Sequence, residues 1–236
     1  MMKVDNKRRV EIINYHDYWQ DVKDAAMNTM GKDSGKYPSS EWKRKILLAE
    51  HSPIRLLEFT IKMTDIPSWV SVHLVRHKIG VEHFVKSQRT DRTGIDRNKL
   101  PQDSPVTHTM RINAQALIFI SRRRLCTQAS LETRQLWGEV IDAIGEYEPE
   151  IASVCVPDCI YRGFCPEMKP CGYSESEAYL HRKTAYQKWN PSKGKCCESC
   201  GHFRQDNGVC TNEKSEHVLD YVAKDFVCIK WGKKDG

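Results

Sequence analysis

Residues 67–78 read Pro-Ser-Trp-Val-Ser-Val-His-Leu-Val-Arg-His-Lys. Pro67 suits the first turn of a helix, where its missing N–H costs nothing, and the stretch is predicted to run as a helix to about His77. Trp69, Val70, Val72, Leu74 and Val75 make it mostly apolar, so Arg76-His77-Lys78 sits at the mouth of a buried element. A charge run taken alone usually faces water. Here it is followed by Glu82-His83 and Ser87-Gln88-Arg89-Thr90-Asp91-Arg92, a string able to gather Arg forks and hydroxyl donors around a phosphate. His73 and His77 lie at i and i+4 on one helical face with His83 nearby. Without a pattern such as His-Glu-x-x-His, hydrogen bonding or ligand contact is favoured there over metal.

Working outward, Trp19 to Met30 and Ser40 to Glu50 read as helices. Over Ile54 to Met63 the period changes, with Phe59, Ile61 and Met63 alternating with Glu58, Thr60 and Lys62 as in a half-buried strand. Thr90 to Thr109 is polar and reads as a long functional loop, and Ile112 to Tyr147 reads as one strong helix. That helix carries Asn113, the run Arg122-Arg123-Arg124, and Ala129-Ser130-Leu131-Glu132-Thr133-Arg134. On an unbroken helix Asn113 and Arg134 would stand roughly 30 Å apart, so they meet one small ligand only if the helix breaks or subunits share the site. Cys126, on the same helix, reads as a buried structural cysteine.

The chain of 236 residues is 39% hydrophobic and 29% charged, which excludes disordered and fibrous classes and allows one sizeable core plus a small appendage. No stretch approaches the ~18 uncharged apolar residues of a membrane helix. The N-terminus, Met1-Met2-Lys3-Val4-Asp5, lacks an apolar signal region, so a cytoplasmic protein without membrane association is expected. A net charge of +6 suits a phosphate-bearing ligand or a nucleic acid without choosing between them.

At this point the sequence resembles the flavin-dependent thymidylate synthases, the ThyX family. That family carries Arg-His-Arg-x-x-Ser-x-Asn-Glu-x-Ser-x-Arg-Tyr after a helix, a preceding Ser/Thr-Pro-Phe-Glu-His segment, and a later Asn-Ala helix ending near Ala-Gln-Trp-Glu-Ile-Arg. Here the corresponding residues are Ser52-Pro53-Ile54-Arg55-Leu56, Arg76-His77-Lys78, Ser87-Gln88-Arg89, Asn113-Ala114 and Ala129 to Arg134. Order and approximate spacing hold over about residues 45–150. The chain departs at Arg55-Leu56, at Lys78, in lacking the middle Ser and Asn-Glu, and at Thr90 in place of Tyr.

The resemblance implies an α/β (α+β) ThyX-like domain with a central sheet flanked by helices, assembled as a homotetramer with shared active sites. It implies FAD as cofactor, held by Arg76, His77, Lys78 and Asn113. It implies deoxyuridylate (dUMP) as substrate, its phosphate bound by Ser87 and Arg89 and its base held by Arg134, with Arg134 and Ser87 as the catalytic residues. The implied reaction moves a one-carbon unit from methylenetetrahydrofolate to C5 of dUMP, with NADPH or another reductant. A sister reaction, such as hydroxymethylation of another pyrimidine deoxynucleotide, fits the altered signature nearly as well. The competing class is a non-catalytic, zinc-containing nucleic-acid-binding protein.

Ten cysteines in a chain without an export signal point to metal or thiol chemistry. None precedes Cys126, and their clustering suggests a domain over 1–150, a Cys/Pro-rich connecting segment over 151–195 with a helix from Ser176 to Gln187, and a metal-stapled tail over 196–236. In the tail, Cys197-x2-Cys200-x9-Cys210-x17-Cys228 offers four soft ligands, with Cys196 spare. Zinc is favoured there over an iron–sulfur cluster. The tail is not part of the usual ThyX pattern and could bind nucleic acid or a partner. Cys155, Cys159, Cys165 and Cys171 form a looser constellation, either a second four-thiolate site or ordinary core and loop cysteines.

Overall fold

The alternation over residues 58–63 folds as a strand with Phe59, Ile61 and Met63 fully buried and Glu58, Thr60 and Lys62 half-exposed. The computed structural model describes residues 9–188. In chain order the elements are β1 (Val10–Tyr15), α1 (Trp19–Asn28), α2 (Ser40–Leu48), β2 (Glu58–Pro67), α3 (Ser68–Val75), β3 (Val81–Val85), α4 (Thr90–Thr93), β4 (Pro105–Asn113), α5 (Ala114–Arg124), α6 (Leu131–Gly145), α7 (Pro149–Val154), α8 (Asp158–Arg162) and α9 (Glu177–Lys188). The chain divides into two units at Lys183/Thr184, and the sheet with α1 to α8 lies in the first.

The four strands form one sheet in the order β1-β2-β4-β3, each neighbouring pair antiparallel. β2 lies centrally, pairing Phe59 with Ile112 and Met63 with His108 on β4. Helices α3 and α5 pack on this centre and α6 on the β1 edge. Trp19 and Trp137 are both fully buried, and the core runs between the sheet's inner face and the helices. Beside Trp19, the buried Glu148 carboxylate accepts the Tyr15 hydroxyl proton and the indole N–H of Trp19, the latter at 2.9 Å. These bonds tie β1 and α1 to the turn between α6 and α7.

The structure departs from the sequence reading in three places. β4 starts at Pro105, inside the stretch read as a loop, because Val106, His108, Met110 and Ile112 all face inward. A histidine at a core position hides that alternation. The strand β2 begins at Glu58 rather than Ile54, since Ser52–Leu56 form a short 3-10 turn with Pro53 at its start. The predicted long helix is also three elements: the end of β4, then α5, then α6 after a break over residues 125–130. Trp137 folds back so that its Nε1–H donates to the buried Ser121 hydroxyl at 2.9 Å, a contact a continuous helix could not make.

The helices expected over Trp19 to Met30, Ser40 to Glu50 and Ser176 to Gln187 are present as α1, α2 and α9 within two residues at each end. No helix among the described residues is long and apolar enough to cross a membrane.

Candidate functional site

Helix α3 ends at Val75 with Arg76 as its C-cap, and the His77 N–H closes the last turn onto the Leu74 carbonyl at 3.0 Å. The chain then reverses through Gly80, whose φ of +73° is the left-handed conformation glycine tolerates. A Cβ at Gly80 would stand 2.7 Å from Asn113 Nδ2, so the turn is also closely packed against the start of α5. Strand β3 follows and carries His83 back under the end of α3.

The histidines there form a directed chain. His83 Nε2 lies 2.8 Å from the His77 carbonyl, which can only accept, so His83 carries its proton on Nε2. Its Nδ1 is therefore the acceptor for His108 Nε2–H at 2.9 Å, and His108 Nδ1 accepts the Ser71 hydroxyl at 3.0 Å. Burial, reinforced by His83, pushes His108 down to about 4, in keeping with a neutral ring that must keep one nitrogen bare.

The His77 ring is held from the other side. Arg124, at the end of α5, donates Nε–H to His77 Nε2 at 3.0 Å and Nη2–H to the His73 carbonyl at 2.8 Å. Because a guanidinium only donates, the His77 proton resides on Nδ1. Burial and then the Arg124 charge lower His77 to about 4, so the ring is neutral at physiological pH. His73 shares a 3.1 Å hydrogen bond with Thr133, which also accepts from Ser130 at 2.8 Å.

Arg76, His77, Arg123, Arg124, Gln128 and Glu167 line an open groove of ≈ 390 Å³, together with Cys126 and Ala129. Glu167 lies 3.5 Å from Arg123, while neither Arg76 nor Arg124 has a carboxylate partner among the described residues. The groove thus presents two unopposed guanidinium groups and one neutral imidazole, a donor set suited to a phosphate or pyrophosphate.

Of the residues expected at the site, Arg76 and His77 meet in this groove, joined by Arg124 and Arg123 of the basic run. Lys78 is exposed beside them but is not part of the lining. Asn113 caps α5, its Oδ1 accepting the Ala116 N–H at 2.9 Å, and it stands at the opposite end of that helix from Arg124. Arg134 lies in the first turn of α6, with Nη1 3.4 Å from the Thr127 carbonyl. Ser87 accepts the Arg89 N–H at 3.2 Å, and Arg89 forms a two-bond pair with Asp91 on the surface. Within one chain, then, Ser87, Arg89, Asn113 and Arg134 are not gathered into the groove. Sequence reasoning missed His108 and Ser71, and the only signal for His108 was its place in the Val106 to Ile112 alternation.

Cys126 belongs to the α5–α6 break rather than to a helix interior, and is half-buried. Cys155 is buried apart from the other cysteines of its predicted group, hydrogen-bonded to Ser121, and burial pushes its thiol up to about 12. Cys197, Cys200, Cys210 and Cys228, and the roles expected of that tail, lie outside the described residues. Among those described, no three or more His, Cys, Asp or Glu side chains form a group able to hold a single metal ion.

The fold, a small antiparallel sheet with helices packed against it, is similar to that of solved flavin-dependent thymidylate synthases. The structure is similar to that of the Helicobacter pylori enzyme ThyX complexed with FAD and dUMP, with a TM-score of 0.52 and 14% identity over 63% of this chain and 99% of the other. It is similar also to the UMP/dUMP methylase PolB of Streptomyces cacaoi bound with 5-Br dUMP, with a TM-score of 0.50 and 16% identity over 66% and 94% of the two chains. No protein-family model matches the chain, and no curated protein matches it in sequence.

Proposed function

We propose that this chain is a flavin-dependent enzyme that modifies C5 of a pyrimidine nucleotide, with dUMP as substrate and methylenetetrahydrofolate as one-carbon donor. The observation that carries the reading is the groove in which Arg76 and Arg124 stand without carboxylate partners around a neutral His77, on a fold shared with proteins solved with FAD and dUMP or with 5-Br dUMP. Those residues fit FAD, because its pyrophosphate needs guanidinium donors and its uncharged atoms need a neutral one.

In this reading Arg76, His77 and Arg124 bind the cofactor, with Lys78 adding positive charge at the rim. Arg124 also fixes the His77 ring so that Nδ1–H is the donor offered. Arg134 orients the pyrimidine base, and Ser87 and Arg89 bind the nucleotide phosphate. Assembly as a homotetramer would let Asn113 of one subunit and Arg134 of another serve one site, since α5 separates the two within a chain.

The methylene carbon exchanges its bond to folate nitrogen for one to C5, and C5 gives up its proton. When bound in the groove of Arg76, His77 and Arg124, FAD reduced by NADPH or another reductant would supply the two electrons that bring the transferred carbon to the methyl level, with tetrahydrofolate as the leaving product. Without that reduction, addition of water at the same carbon would leave a hydroxymethyl group.

The test is an absorbance spectrum of the full chain after loading with FAD and removing the excess, before and after addition of dUMP. Flavin bands that persist and shift with dUMP support the reading, and mass analysis of turnovers with UMP, dUMP and dCMP then separates methyl from hydroxymethyl products. A chain that retains no FAD overturns it.

A further inference from the structure

Strand β3 ends the sheet, with β4 on one side and no further strand among the described residues on the other. Two hydrogen bonds fix which of its backbone groups are already used. The Lys86 N–H donates to the Thr107 carbonyl at 2.8 Å, and the Asn113 N–H donates to the Gly80 carbonyl at 3.0 Å. Even-numbered residues of β3 therefore turn their N–H and C=O groups towards β4, while those of Val81, His83 and Val85 point to the open edge. No described residue outside the strand hydrogen-bonds to them.

The side chains divide in the same alternating way. Val81 is buried and His83 reaches back to the His77 carbonyl, whereas Glu82, Phe84 and Lys86 project from the other face. All three are exposed, Phe84 by 63%. Neither Glu82 nor Lys86 has an ion-pair partner among the described residues, and Arg111, which stands opposite Glu82 on β4, is taken by Glu58. An uncovered edge strand with an exposed aromatic residue is a template for another strand.

We infer that two copies of this chain join β3 to β3 across a two-fold axis at Phe84, making one sheet continuous through both.

The register follows from the pattern. A two-fold axis at the edge sets the two strands antiparallel, and the open N–H and C=O groups meet only if odd-numbered residues face odd-numbered ones. With the axis at Phe84, His83 and Val85 exchange hydrogen bonds with the partner's Val85 and the partner's His83. Phe84 then stands opposite the partner's Phe84, and Glu82 opposite the partner's Lys86, the last contact occurring twice by symmetry. These are non-hydrogen-bonded pairs, in which Cα atoms approach to about 4.5 Å and side chains lie closest. Aromatic and opposite-charge pairs are the cross-strand contacts that stabilise a sheet. Moving the axis by one residue sets Phe84 against a glutamate or a lysine, and moving it by two sets Glu82 against Glu82 or Lys86 against Lys86. The run Glu82-His83-Phe84-Val85-Lys86 is thus self-complementary in one register, which is why the occupant is a second copy and not an arbitrary extended peptide.

The pairing also bears on the groove. It sets the partner's Ser87 opposite Val81, next to Gly80 and the end of α3 that carries Arg76 and His77. Ser87 and Arg89, which lie apart from the groove within one chain, approach it from the second copy. This consequence rests on the nucleotide reading, whereas the strand pairing does not.

The test is the mass of the full chain in solution, by sedimentation or light scattering, without FAD or nucleotide. An assembly of at least two copies is expected. Glu82→Lys and Lys86→Glu should each halve its mass, because each places like charges opposite one another. The double variant Glu82→Lys/Lys86→Glu should restore it, and so should an equal mixture of the two single variants, a rescue that misfolding does not produce. A monomeric wild-type chain, single variants of unchanged mass, or a double variant that stays dissociated overturns the proposal. If a charge variant fails to fold, Phe84→Cys decides: Cα atoms about 4.5 Å apart are within disulfide reach, so mild oxidation should link two chains through that position, as found by peptide mapping. Absence of that link overturns the pairing. A chain that associates in this way yet retains no FAD keeps the pairing and loses the nucleotide reading.

Discussion

Arg124 and His77 are 47 positions apart in the chain and 3.0 Å apart in space, Nε–H of the one donating to Nε2 of the other. The bond joins the ends of α5 and α3, and it settles which His77 nitrogen bears the proton. Arg124→Ala is expected to lower FAD affinity about tenfold or more, the scale of a lost charge-assisted bond. It should also move the His77 titration, read by NMR, upward from about 4 towards the ordinary histidine value. An unmoved titration would show that Arg124 does not control the ring.

His77 and His108 are both pushed down to about 4, by burial in the first place. Their folded values lie below the unfolded value of about 6.5, so between the two the unfolded chain binds more protons. Stability from these rings is therefore full above roughly pH 6.5 and is lost as pH falls towards 4. Urea midpoints measured across that range should decline, and His108→Asn should flatten the decline. A wild-type midpoint that holds steady from pH 6.5 to 4 would contradict neutral rings at His77 and His108.

Arg76 and Arg134 are expected to separate the two ligands. Arg76→Ala should lose FAD on purification, whereas Arg134→Ala should keep it and bind dUMP about tenfold or more weakly. FAD content and calorimetric dUMP titration of both variants read this directly. Wild-type FAD content in Arg76→Ala removes that residue from the cofactor site.

At Gly80 the left-handed backbone and the 2.7 Å approach to Asn113 Nδ2 act together. Gly80→Ala is expected to cost about 2 kcal/mol or more, from left-handed strain and a disturbed helix cap. Asn113→Ala, which removes the cap alone, should cost about 1 kcal/mol. Thermal melts of the pair test the ranking, and equal melting temperatures would mean the contact is relaxed in solution.

Glu148 accepts from Tyr15 and Trp19 while 4% exposed. Glu148→Ala is expected to cost roughly 3 kcal/mol, since it strands the buried Trp19 N–H and the half-buried Tyr15 hydroxyl, and Glu148→Gln less. Denaturant unfolding of the two variants measures the difference.

Local pattern was enough for α1, α2, α3 and the body of β2, because helix and strand periods are set by the backbone and each residue's near neighbours. It was enough, too, to mark Arg76-His77 as the end of a buried helix and to single out the cysteine-rich third. Spacing carries no information about which distant group answers a polar side chain. His108 hides β4 because its burial makes sense only once Ser71 and His83 are beside it. The helical run from Ala114 to Gly145 contains no proline or inner glycine to break it before Gly138. It divides because Trp137 and Ser121 must meet in the core. The same packing turns Cys155 inward to Ser121 and leaves Cys126 facing Cys159, Cys165 and Cys171, a grouping created by burial and hydrogen bonding across the fold.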